Sequence, residues 1–284
     1  MYRGRTLSLS FPPFTKAVKW LILINAGMYL LIEILKAIAP EIGNALFYGL
    51  LPLIPTMVLH GWIWQLVTYS FLHSGIFHLL FNMLALWMFG ATFESDWGTK
   101  RFLEFYFFCV VGAALTTMVI AYTGMGGVSP LTKTVGASGG IYGILMAFGM
   151  IYGDREIMLF PIPFSIKAKY FVMGIAFIAL VSAIGAAAPG RGEAIAYFAH
   201  LGGLLFGFIY VKFLPKRGLA FGASEQYFGI RNSYYRWKRR RAARKFEVYM
   251  RKHNRNVSFD EHGNYIPPDD PDKKNGGTKS GWIN

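Results

Sequence analysis

The chain has 284 residues, 54% of them hydrophobic and only 15% charged, where soluble domains average about a quarter charged. That balance excludes an ordinary water-soluble globule, and the long apolar blocks exclude disorder over most of the length. A single cysteine, Cys109, excludes an internal disulfide framework and any cysteine-based zinc cluster.

The net charge of +14 is concentrated at one end. Residues 212–284 hold 17 Lys and Arg against 7 Asp and Glu, whereas residues 1–211 hold 12 against 8. The expected organisation is an N-terminal segment over 1–16, a membrane domain over 17–213 and a basic tail over 214–284.

Six apolar runs approach the roughly 20 residues that a helical span requires. They are 17–39, 74–93, 102–123, 136–152, 169–188 and 194–213. Lipid offers no partners to free backbone groups, and the runs lack period-2 alternation, so helices are expected rather than a barrel. The first run lies behind Pro12 and Pro13 and has no small-x-small cleavage site, which argues against a cleavable signal peptide.

Lys and Arg bias sets the expected orientation. With the N-terminus cytoplasmic, only Lys36, Lys133 and Arg191 fall outside, against nine body cations and the whole tail inside. Both termini are therefore expected in the cytoplasm. Residues 40–72 join the first two spans, yet Phe47, Tyr48, Trp62 and Trp64 make them too apolar for a solvated loop. Proline at 40, 52 and 55 opposes one continuous helix there, and an interfacial position in the outer leaflet is expected.

Polar groups inside spans are costly and ask for a reason. Three stretches stand out: His73-x4-His78-x3-Asn82 on the second span, Gly136-x-Ser138-Gly139-Gly140 opening the fourth, and His200-x2-Gly203 on the sixth. Alternating topology brings all three to one depth near the outer face. Gly203 and Gly207 share a face with His200, and Gly136/Gly140 and Gly139/Gly143 are small-xxx-small pairs, so the fourth and sixth helices can cross closely. A Ser138–His200 hydrogen bond then becomes accessible, with Tyr142 one turn on and able to pack on the imidazole. A serine activated by a histidine is the scheme of acyl transfer. Its oxyanion site would draw on the free N–H groups of the first helical turn at Ser138, with His78 and Asn82 as side-chain donors. No body carboxylate falls behind His200, so a dyad is expected rather than a triad.

These motifs, in order on the second, fourth and sixth spans, resemble the rhomboid intramembrane serine proteases over about residues 15–213. The resemblance implies an all-α polytopic membrane protein with a six-helix bundle and a cytoplasmic basic tail. It also implies Ser138 as nucleophile, His200 as general base, and His78 and Asn82 as oxyanion donors beside the Ser138 amide. Gly136, Tyr142 and Gly203 match supporting positions, and Gly90, Glu94, Gly98 and Arg101 resemble a structural loop of the family. Transmembrane proteins would be the substrates and membrane lipids the surroundings. One departure is visible: Trp64-Gln65 stands where many members have Trp-Arg, which bears on how the first loop is anchored.

Rival readings make different demands on the sequence. A catalytically inactive relative binding transmembrane clients would lack one of the dyad residues, and a transporter would need buried charge pairs along a full-depth path. The stretch from Gly136 to Gly140 also fits the GxSxG elbow of soluble hydrolases, which requires a preceding core strand. His73 and His78 lack acidic or cysteine neighbours at ligand spacing, so neither metal nor cofactor is expected. His60, His253 and His262 read as solvated. In the tail, 233–252 reads as a helix after a glycine-containing linker, and residues from 254 on as disordered. A positive-inside signal or anionic lipid is its expected role, rather than nucleic acid. A prokaryotic plasma membrane is the expected location, since nothing resembles a transit peptide.

Overall fold

The computed structural model describes residues 12–125, 128–158, 165–186, 194–214, 219–255, 257–260 and 264–266. Contacts divide the chain into two units, Met1–Gly218 and Leu219–Asn284.

The first unit is helical. Helix α1 (Lys16–Ile38) is followed by α2 (Pro40–Ala45), a π-turn (Leu46–Leu50), α3 (Pro55–Leu59), α4 (Gln65–Thr68) and a 3-10 turn (Tyr69–Phe71). Prolines open α2 and α3 at the first helical position, where a missing N–H costs nothing. The apolar segment between the first two spans is therefore a set of short helices. Ile63 and Trp64 are exposed on it, and the Trp62 and Trp64 rings stack at 5.4 Å.

A second long helix runs through α5 (Ile76–Ala85), a π-turn (Leu86–Gly90) and α6 (Ala91–Trp97). After the turn at Gly98 comes α7 (Thr99–Thr123). Then follow α8 (Ser138–Ile151), a hairpin of β1 (Glu156–Met158) and β2 (Ser165–Lys167), α9 (Ala168–Ala186) and α10 (Ala194–Phe213). Five of these helices are long and apolar enough to cross a membrane: α1, Ile76–Trp97, α7, α9 and α10.

The expected fourth span differs. Residues 136–152 form one apolar run in the sequence, but α8 has 14 residues, fewer than the about 20 of a lone span. Protein explains the difference, because α8 is buried nearly all round, at Gly139, Gly140, Ile141, Gly143, Ile144, Leu145, Ala147 and Phe148. A helix apolar on every side belongs at the centre of a bundle. The segment before it pairs with protein too, through the Leu53–Thr134 bridge and the Gly136 N–H donated to the Tyr69 carbonyl at 3.0 Å. Irregular backbone is tolerated at membrane depth only where protein or a wet cavity receives it.

Glu94 ties the outer helix to this centre. Its carboxylate accepts from the Ala17 and Val18 amides, at 2.7 and 2.9 Å, and from the Thr99 hydroxyl at 2.6 Å. Helix α1 has no side-chain cap from its own N-cap residue, so a residue 77 positions away supplies acceptors to its first turn. Arg101 lies over the Trp97 ring at 4.2 Å, and Gly98 turns the chain at φ +79°. Gly90, Glu94, Gly98 and Arg101 thus form one connected corner.

In the second unit, α11 (Leu219–Lys252) begins well before the expected helix at 233, and replaces the expected linker from residue 219 on. The expectation of disorder from 254 is corrected for the described part. Strands β3 (Ser258–Phe259) and β4 (Tyr265–Ile266) form an antiparallel pair. Asp260 and Asn264 close the pair: the Asp260 carboxylate accepts from the Asn264 amide at 2.8 Å, and the Asp260 amide donates to the Asn264 carbonyl at 2.9 Å. The stretches around Pro267-Pro268 and Asn275, like His262, lie outside the described residues.

Candidate active site

Ser138 is the first residue of α8, and His200 lies on α10. Their side chains meet, with Ser138 Oγ 2.9 Å from His200 Nε2. The helices can approach so closely because glycine faces glycine. A Cβ on Gly203 would collide with the Gly139 carbonyl oxygen, and one on Gly207 would lie 2.6 Å from the Gly143 carbonyl oxygen. Of the two small-residue pairs, Gly139/Gly143 lies on α8 and makes the crossing, whereas Gly136 precedes the helix. Gly140 instead admits Tyr106 and Val110 of α7.

The imidazole is held by stacking. The Tyr142 ring lies on His200 with centroids 4.1 Å apart and planes within 5°, and Tyr197 meets it edge-on at 6.1 Å. His200 Nδ1 is buried and has no hydrogen-bond partner among the described residues.

Gly136 has φ +125°, a conformation that favours glycine. A Cβ there would also sit 2.9 Å from Cε1 and Nε2 of His78 and 3.6 Å from Ser138 Oγ. His78 therefore comes from α5 to the turn just before α8. Its Nδ1 is approached by the Ser74 hydroxyl at 3.0 Å and receives the Ser74 amide at 3.5 Å. The Ser74 amide can only donate, and a neutral ring that accepts from it at Nδ1 would carry its proton on Nε2, on the side of Gly136. His73 stacks edge-on against this ring at 5.0 Å. Asn82 is buried beside His78 on the same helix and donates from Nδ2 to the His78 carbonyl at 2.9 Å. One amide hydrogen of Asn82 is occupied there.

Gln65 is the residue whose role sequence reasoning missed. It is fully buried, with Oε1 accepting from the Ile54 amide at 3.0 Å. Its Nε2 donates to the Gly49 and Leu50 carbonyls at 2.9 and 3.3 Å. Both ends of one amide thus clamp the first loop. That loop continues through Leu53, which exchanges backbone hydrogen bonds with Thr134, two residues before Gly136. The signal in the sequence was the Trp64-Gln65 pair itself: a glutamine both donates and accepts, which an arginine cannot do. His60, expected to be solvated, is exposed, with Nδ1 against the Thr56 carbonyl.

Residues 60–217 match the Rhomboid domain, more than half of the chain. The chain belongs to the rhomboid family. It is 29% identical over 150 residues to mitochondrial Rhomboid protein 1 of Saccharomyces cerevisiae, covering 52% of this chain and 40% of the yeast protein. It is 32% identical over 170 residues to Rhomboid protease GluP of Bacillus subtilis, covering 59% of this chain and 29% of that protein. With RHOMBOID-like protein 1 of Arabidopsis thaliana the identity is 30% over 155 residues, 54% of this chain and 35% of the relative. The chain thus spans well under half the length of these relatives. Family and apolar helices together make it an integral membrane protein.

Proposed function

We propose that this rhomboid is an intramembrane serine endopeptidase that cleaves membrane-anchored proteins near the outer face of the bilayer. The observation that carries the reading is the 2.9 Å contact between Ser138 Oγ and His200 Nε2, inside a protein of a family that includes named proteases. In this reading His200 removes the serine proton through Nε2 as Oγ attacks the scissile carbonyl. The developing oxyanion is met by the Ser138 amide in the free first turn of α8, by His78 Nε2–H and by the remaining Asn82 hydrogen. His200 then returns the proton to the leaving amine, and water hydrolyses the acyl-enzyme by the same route in reverse.

A transmembrane helix hides each carbonyl in an i to i−4 hydrogen bond, so the substrate must unwind locally before Ser138 can reach it. Water must enter from the outer side. The cation bias of the loops supports a cytoplasmic position for both termini, and the proposed location is a prokaryotic plasma membrane.

The test is cleavage of a reporter transmembrane substrate by purified protein in detergent, wild type beside Ser138→Ala. The wild type should release the fragment and Ser138→Ala should not. Equal cleavage by both removes the assignment, and binding without cleavage by either points to an inactive relative.

A further inference from the structure

We propose that the second unit docks on an anionic lipid surface through one face of α11, independently of the chemistry at Ser138. The hairpin divides the helix. Phe259 and Tyr265 line a shallow hollow with Arg239, Ala242, Ala243 and Phe246, and the Phe246 and Phe259 rings lie 6.3 Å apart. Ala243 is the buried residue at the centre of that contact.

The opposite face has no such cover. Tyr234, Trp237, Arg241, Arg244 and Val248 recur at intervals of three and four, so they form one stripe along the helix. All five are exposed, with Arg240 and Lys245 exposed beside them. Arg241 leans over the Trp237 ring at 5.4 Å. Glu247 sits 3.6 Å from Arg251, but Arg240, Arg241, Arg244 and Lys245 have no carboxylate within 4.0 Å among the described residues. Among the described residues the surface therefore combines four cations without a carboxylate partner with an aromatic centre.

Charge and tether together select lipid as the partner. An anionic leaflet attracts clustered Lys and Arg, while Trp, Tyr and Val add the apolar contact of an interfacial helix. Five residues separate the end of α10 at Phe213 from the start of α11 at Leu219, a covalent reach of about 20 Å. The start of α11 is thereby kept close to the membrane that holds α10, at a high effective concentration. A polyanion in water would have to compete with a charged surface that is always present.

The full-length protein tests this in nanodiscs, with a polarity-sensitive fluorophore on Val248→Cys; Cys109 is buried and stays unlabelled. In discs rich in phosphatidylglycerol the label should shift to the blue and be quenched by brominated lipid, and neither should occur in phosphatidylcholine alone. High salt should reverse the shift. Each of Arg240→Gln, Arg241→Gln and Arg244→Gln should weaken surface association about five-fold, and the three together about a hundred-fold. The triple Arg→Lys variant should keep it, which separates lost charge from lost folding. Equal emission in both lipids, or a shift retained by the triple Gln variant, overturns the proposal. So does a shift produced only by added single-stranded DNA or polyglutamate in phosphatidylcholine discs.

Discussion

Tyr142 lies flat against His200, ring centroids 4.1 Å apart and planes within 5°. Nδ1 of His200 has no partner among the described residues, so in the proposed mechanism this stack would take the orienting role that a carboxylate has in a triad. Tyr142→Phe keeps the stacking surface and should retain activity within about two-fold. Tyr142→Ala frees the ring and should lower kcat by about 10²-fold, the scale of a misplaced catalytic group. Initial rates across substrate concentration check both.

Gly203 meets the Gly139 carbonyl so closely that no side chain fits. Gly203→Leu should force α10 from α8, abolish turnover and destabilise the protein by about 3 kcal/mol or more, the upper range of overpacking. Thermal unfolding in detergent, paired with a cleavage assay, reads both effects. Full activity in this variant would mean that the close crossing is not needed.

Gln65→Ala removes the acceptor of the Ile54 amide and the donor to Gly49 and Leu50. A buried group left unpaired costs about 2 kcal/mol. The variant should melt earlier and cleave more slowly, since the loop it releases pairs with Thr134 just before Gly136. Hydrogen exchange at the Ile54 and Leu53 amides should rise well above wild type, which locates the effect in the loop.

Ser74 contacts His78 Nδ1 through its hydroxyl and its amide, and the proposed oxyanion role of His78 needs that nitrogen as the acceptor. Ser74→Ala loses the hydroxyl and keeps the weaker backbone contact, so kcat should fall about five-fold, the worth of one neutral hydrogen bond. KM should stay near wild type, because an oxyanion donor acts on the transition state. Ser74→Thr should restore the rate. Nitrogen chemical shifts of the His78 ring report the tautomer directly and should move with Ser74→Ala but not with Ser74→Thr.

Much of this architecture was legible in the sequence for a physical reason: lipid permits few backbone states, so apolar length alone locates helices. The glycines at 139, 143, 203 and 207 likewise announced a close crossing, because little else explains small residues at that spacing. What stayed hidden depends on contacts between distant segments. The 14-residue length of α8 follows from its burial among neighbours, which hydropathy does not encode. Gln65 acts through three backbone groups at 49, 50 and 54, and nothing local marks them. The pairing of β3 with β4 rests on two residues per strand and the Asp260–Asn264 bond, too short for alternation to register.

The most direct measurement of the central claim is the reaction of the detergent-solubilised protein with a fluorophosphonate, followed by mass mapping of the adduct. The phosphonyl group forms a bond to the nucleophilic oxygen as fluoride leaves, and the proton passes to the general base. The account predicts one adduct, on Ser138, that is lost in Ser138→Ala and reduced about 10⁴-fold or more in rate by His200→Ala, while both variants keep the wild-type melting behaviour. An adduct on another residue, or labelling of Ser138 at an unchanged rate without His200, would contradict it.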